Sequence, residues 1–148
     1  MSSWERHTGV RTRPERVVEL LMDPAAARRW SPVPLELECL EGDRLEQGRR
    51  ARAVSRIAGR GVEFDVRILE ASDHRLAVQA SGPFEVDVRY EAIPLDGATE
   101  LSASISLRAG RGIVGGLLRR AAEALLASGA LDLALSRFAR DAELSLPA

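Results

Sequence analysis

Asp132, Tyr90 and Arg52 are the side chains whose types and neighbours could do chemistry in this sequence. Asp132 interrupts the apolar side of a C-terminal run, where an unpaired carboxylate would be costly. It therefore calls for an arginine partner, water at an opening, or a ligand. Tyr90 closes the apolar side of Phe84, Val86 and Val88, and its hydroxyl would either cap a core or meet a bound molecule. Arg52 stands in Arg50-Ala51-Arg52-Ala53-Val54-Ser55-Arg56-Ile57. The default register turns Ala51, Ala53, Ser55 and Ile57 inward and leaves Arg50, Arg52 and Arg56 in water. A slip of one residue, or a bulge, would reverse this and aim Arg52 at a ligand carbonyl or carboxylate. Together the three side chains could move protons on a bound molecule.

Other chemistries have little support. His7 and His74 are far apart, neither belongs to a metal-binding spacing, and Cys39 stands alone, so no metal is expected. With no Lys anywhere, a phosphate-binding loop of the Gly-Lys-Ser/Thr kind cannot form. Gly110, Gly112, Gly115 and Gly116 could cradle a phosphate at a helix start, but a flexible strand-to-helix connection explains them better. No serine or cysteine is placed beside a histidine that could activate it. No cofactor is called for.

Composition narrows the classes further. The formal net charge is −1, so no global field draws nucleic acid or anionic lipid. The single Cys39 excludes an internal disulfide framework and fits a reducing compartment. The N-terminal residues lack the apolar core of a signal peptide, and no apolar run is long enough to span a bilayer. The expectation is one soluble, cytoplasmic domain over residues 1–148, long enough to bury a core. The oligomeric state stays open, a homodimer included.

The elements that must position the three side chains follow from periodicity. Trp4 to Thr12 alternates loosely as a first strand, with Arg6 the awkward member of its inner side. Thr12 and Pro14 open a short helix carrying Val17, Val18, Leu20 and Leu21, which Asp23-Pro24 ends. A second short helix reaches Trp30. From Leu35 the period becomes two, and about six strands follow, separated by turns at Gly42, Gly59-Arg60-Gly61, Ser72-Asp73, Gly82-Pro83 and Asp96-Gly97. Their wet-and-dry alternation predicts an antiparallel meander. Residues 113–144 then read as one long helix, with Leu117, Leu118, Ala121, Leu125, Leu135, Phe138 and Ala142 on its apolar side. A stripe that wide predicts a curved sheet wrapped around it.

This order resembles the START-like, or helix-grip, superfamily, in its polyketide cyclase/dehydrase and lipid-transfer branches. The likeness is carried by Val10-Arg11-Thr12-Arg13-Pro14-Glu15-Arg16-Val17, by Asp23-Pro24 with Trp30-Ser31-Pro32, and by Gly97-Ala98-Thr99-Glu100-Leu101. The resemblance implies an α+β helix-grip fold with a cavity between the sheet and the C-terminal helix. It also implies a hydrophobic ligand such as a polyketide, lipid or aromatic metabolite, without a nucleic-acid partner. The residues expected to wall that cavity are Trp30, Phe64, Val66, Val78, Val86, Val88, Tyr90, Leu101, Ala103, Ile105, Leu125, Ser128 and Asp132. The alternative is a cyclase/dehydrase-type enzyme that moves protons through Tyr90, Asp132 or Arg52.

Overall fold

The computed structural model describes residues 2–144. In chain order the elements are β1 (Ser2–Val10), α1 (Pro14–Leu21), α2 (Pro24–Trp30), β2 (Leu35–Cys39), β3 (Arg50–Ile57), β4 (Arg60–Ala71), β5 (Arg75–Ser81), β6 (Phe84–Leu95), β7 (Ala98–Gly110), α3 (Gly112–Ala127) and α4 (Ala130–Leu144). The seven strands form one antiparallel sheet in the order β1-β7-β6-β5-β4-β3-β2. β1 comes first in the chain but pairs with the last strand, so the α1–α2 excursion crosses from one edge of the sheet to the other. No helix is long and apolar enough to cross a membrane.

Turn chemistry sets the strand ends. Ala58 and Asp96 are the non-glycine residues with positive φ (53° and 41°), and each is followed by a glycine, Gly59 or Gly97, that shares the left-handed region. Two consecutive positive φ values are what a tight two-residue hairpin turn requires. The first hairpin therefore turns at Ala58–Gly59 rather than at Gly59-Arg60-Gly61, and Arg60 and Gly61 already belong to β4.

The period-two expectation holds along β4, where Val62, Phe64, Val66 and Ile68 are buried and the residues between them exposed. Cross-strand register carries that inner face across the sheet. Ile68 lies opposite Val78, Val78 opposite Val88, Val88 opposite Ile105, and Ile105 opposite Trp4.

Both short helices begin with proline in the first turn, where its missing N–H costs nothing. Asp23 caps α2 by accepting the Ala25 N–H at 3.0 Å. Thr12 does not cap α1. It is buried one residue earlier, and its carbonyl accepts the Thr99 hydroxyl at 2.6 Å, tying α1 to β7.

The C-terminal run is two helices rather than one. Ser128 caps α3, its hydroxyl bonded to the Leu125 carbonyl at 2.8 Å, and Gly129 follows at φ 100°. A glycine in the left-handed region just past a helix end is a standard way of satisfying its last carbonyls. The break resets the helical phase, so a single 100° projection over residues 113–144 cannot describe both halves. On α4 it succeeds: Leu135, Phe138 and Ala142 are buried. On α3 it holds for Leu118, which faces inward with Gly115, and for the half-buried Ala121, but fails for Leu117 and Leu125, which are exposed. Arg119 and Glu123 are half-buried and paired at 3.2 Å, and Glu123 also accepts the Ser2 hydroxyl at 2.9 Å. Gly115 explains how α3 sits so close. A Cβ there would collide with the Pro83 carbonyl, so the helix start docks backbone to backbone on the β5–β6 turn.

Candidate functional site

The inner face of the sheet is not uniformly sealed. Its flanks are: Val62, Phe64, Val66 and Ile68 on β4 and Leu101, Ala103 and Leu107 on β7 are all buried. Its centre is only half-buried, at Val78 and Ala80 on β5, Val86, Val88 and Tyr90 on β6, and Ile105 on β7. These positions have strands on both sides, so a helix packed flush against them would have closed them off. Half-buried apolar residues face the same region from β2, β3 and the helices: Leu37, Cys39, Ala53, Ala122, Leu126 and Leu131. The inner side of the fold is thus apolar and incompletely packed at its middle.

Tyr90 is the polar member of that middle. The inner positions of β3 to β7 carry no other ionisable side chain. Its residue is half-buried and keeps accessible surface, while the protein packed around the hydroxyl disfavours its charged form. The hydroxyl has no hydrogen-bond partner among the described residues, yet it is not sealed as the unpartnered Trp30 Nε1 is. Burial pushes its ionisation up to about 12 from the ordinary 10.0.

At neutral pH Tyr90 is therefore a neutral hydrogen-bond donor and not a base. Because it is the one tyrosine of the chain, the near-ultraviolet tyrosinate band reports on it alone. The native protein should titrate with a midpoint near 12, against about 10 in denaturant. A native midpoint of 10 would place the hydroxyl in water instead. The folded state holds the proton more tightly, so this group leaves stability unchanged below pH 10 and lowers it as pH rises from 10 to 12.

A second polar group borders the region from an unexpected place. Arg6 shares an inward row with Ala103, Tyr90 and Leu76 across β1, β7, β6 and β5. Its guanidinium reaches Asp132 of α4 at 3.4 Å. The pair is wet, with the two side chains 45% and 61% exposed, and an exposed pair of this kind contributes about 0–1 kcal/mol. Asp132 also stands in the first turn of α4, where a carboxylate suits the helix dipole. It is thus explained by an arginine and a helix start, at the rim rather than in the apolar middle.

The remaining expected residues divide as follows. Phe64 stacks edge-on against Phe84 with ring centroids 5.3 Å apart, and with Val66, Leu101 and Ala103 it is packed core. Trp30 meets Phe138 edge-on at 5.7 Å, joining α2 to α4. Leu125 and Ser128 are exposed on the end of α3, a consequence of the helix break. Arg52 is corrected to the outer face. β3 keeps its default register, Arg52 pairs with Glu63 at 3.0 Å, and it borders an open outer groove of about 360 Å³ with Arg28, Glu36 and Glu38.

Leu37, Cys39, Ala53 and Ala80 were legible as inward alternations, whereas Ala122, Leu126 and Leu131 depended on the helix phase and were not. Burial raises the Cys39 thiol, which leaves it a poor nucleophile at neutral pH. Among the described residues no group of three or more His, Cys, Asp or Glu is arranged to hold a metal ion.

Comparison with known proteins agrees with this architecture. An aromatase/cyclase from a Streptomyces species superposes with a TM-score of 0.77 at 22% identity, over 99% of this chain and 96% of that one. A Thermus thermophilus protein gives 0.74 at 18% identity, over 99% and 100% of the two chains. A START superfamily protein from Mycobacterium smegmatis gives 0.67 at 18%, over 90% and 93%. At these identities the likeness shows the fold alone. No curated protein matches the sequence significantly. The model of the family described as polyketide cyclase/dehydrase and lipid transport matches residues 1–143, nearly the full length, and the chain belongs to that family.

Proposed function

We propose that the protein binds a hydrophobic small molecule between the sheet and the C-terminal helices, with Tyr90 donating one hydrogen bond to it. The observation that carries this reading is the half-buried apolar centre of β5, β6 and β7, with the half-buried Tyr90 as its polar member. Affinity would come mainly from apolar burial, roughly 25 cal/mol for each Å² removed from water before association costs. The ligand would be largely apolar with a carbonyl, ether or hydroxyl oxygen within reach of Tyr90. A carboxylate or phosphate placed at the centre would find no cation beside it, since Arg6 is engaged with Asp132 at the rim.

A carrier or sensor is preferred to the cyclase/dehydrase-type enzyme. Proton transfer through a reactive poly-carbonyl chain needs an acid and a base that converge on it. Tyr90 can supply the first, but Arg52 lies on the other side of the sheet and Asp132 is exposed at the rim.

The test is native mass spectrometry of protein purified from its own host, together with thermal shift across lipids, polyketides and aromatic metabolites. The expected result is a retained neutral species, or a shift that Tyr90→Phe reduces. No bound species and no shift across the panel would refute small-molecule binding.

A further inference from the structure

We propose that the first three turns of α3 are a peripheral docking surface for an anionic lipid bilayer. This inference is independent of the pocket, because a bilayer surface could be bound whether or not the interior takes a ligand. Ile113 is 84% exposed, Leu117 60% and Val114 45%. Spacings of three and four place them together on one helix face. They are the outcome of how α3 sits: Gly115, pressed on the Pro83 carbonyl, and Leu118 take the inward side and leave the larger side chains outside. Exposed aliphatic side chains so close together mark an interaction surface.

The charge around them names the partner. On the helix beside them Arg120 is exposed and makes no ion pair among the described residues, while Arg119 is half-buried and held by Glu123. α3 starts at the end of the sheet that also holds the Ala58–Gly59 and Gly82–Pro83 turns, and Arg56, Arg60 and Arg111 are exposed there. Two of the acidic groups at this end are held, Glu63 by Arg52 and Glu85 by Arg111 and the Ser81 hydroxyl, while the exposed Asp65, opposite Ser81, makes no ion pair among the described residues. Arg56, Arg60 and Arg120 make no ion pair among the described residues.

The opposite end of the sheet has the other sign. Its turns expose Glu41 and Glu46, held by Arg50 and Arg49, and also Asp43, Asp73 and Asp96, against Arg44 and His74. The near-zero net charge thus hides a molecule with a basic, apolar end and an acidic one. An apolar stripe rimmed by unpaired arginines fits a negatively charged lipid surface, where the aliphatic groups enter the acyl boundary and the guanidinium groups meet the phosphates. A second copy of this chain would bring the same arginines against each other, so it is the less favoured occupant.

Co-sedimentation of the whole protein with vesicles tests this. Vesicles of phosphatidylcholine alone are compared with an equal mixture of phosphatidylcholine and phosphatidylglycerol, at low and at physiological salt. Binding is expected to the mixed vesicles only, and to weaken with salt. Leu117→Glu and Ile113→Glu should each lower partitioning about tenfold, and Arg60→Ser or Arg120→Ser about fivefold each. Both apolar sites are exposed, and glutamate at position 113 suits a helix start, so unchanged melting temperatures will certify the variants as folded. Absence of sedimentation with the mixed vesicles at low salt would overturn the proposal. So would variants that bind as the parent does, or a dimer that Leu117→Glu dissociates in a protein without vesicle affinity. The Tyr90→Phe variant should sediment as the parent does, which separates this surface from the pocket.

Discussion

Phe138→Ala is expected to destabilise the protein by about 3–5 kcal/mol, the range for removing a large buried aromatic side chain without collapse of the space. Phe138 is 1% exposed on the buried side of α4, where it stands with Leu135 and Ala142. Its ring meets Trp30 edge-on at an interplanar angle of 88°, and such a pair adds about 0.5–1.5 kcal/mol beyond the area it buries. Few other contacts can compensate. α2 and α4 are further joined by the Arg29–Asp141 pair, whose two hydrogen bonds of 2.9 and 3.1 Å raise the Arg29 ionisation, but Arg29 is half-exposed. The truncation should therefore loosen α4 from α2 before it disturbs the sheet. Denaturant unfolding followed by tryptophan fluorescence measures the loss. A cost below about 1 kcal/mol, the scale of an ordinary surface change, would show that α4 is not held through this ring.

The contrast between the two halves of the C-terminal run explains what could be read in advance. Phe138, Leu135 and Ala142 were legible because α4 obeys its own helical period with no interruption. Leu117 and Leu125 were misplaced because a glycine inside an apolar run reads equally as a helix interior or a helix end. The choice depends on the φ of Gly129, which only the packing around it decides. The strands were easier. Alternation of period two survives any change of turn, so β4 and β6 kept their inner faces although the β3–β4 hairpin began its turn one residue early, at Ala58. Arg6 marks the limit of that reading. Its place in an otherwise inward series looked like a flaw in β1, and its explanation, Asp132, lies 126 positions away on another element. Likewise, alternation shows that Val88 and Leu101 both face inward, but not that one is half-buried and the other sealed. That difference belongs to the distance between helix and sheet, which no local pattern encodes.

Val88→Trp should separate a ligand pocket from an ordinary core by two measurements on one variant. Val88 of β6 is the central residue of the inward row from Ile68 to Trp4, opposite Val78 on β5 and Ile105 on β7, and all three are half-buried. In a filled interior, the larger side chain would force its neighbours out of their rotamers at a cost of about 1–3 kcal/mol or more. Where the centre is unfilled, the indole would cover the exposed faces of those neighbours, and the burial would offset the strain. We expect the denaturant midpoint to move by less than the equivalent of about 1 kcal/mol. The same indole would occupy the volume a ligand needs, so affinity for whatever binds the parent should fall about a hundredfold or more, some 2.7 kcal/mol. Thermal shift with the retained or selected ligand reads the second effect, and denaturant unfolding the first. A variant that unfolds readily while still binding would contradict the pocket on both counts, because the space would be neither empty nor the place where the ligand sits. A stable variant that has lost binding places the ligand against β6. That outcome would also make Tyr90, two residues further along the same inner face, the hydroxyl that orients it.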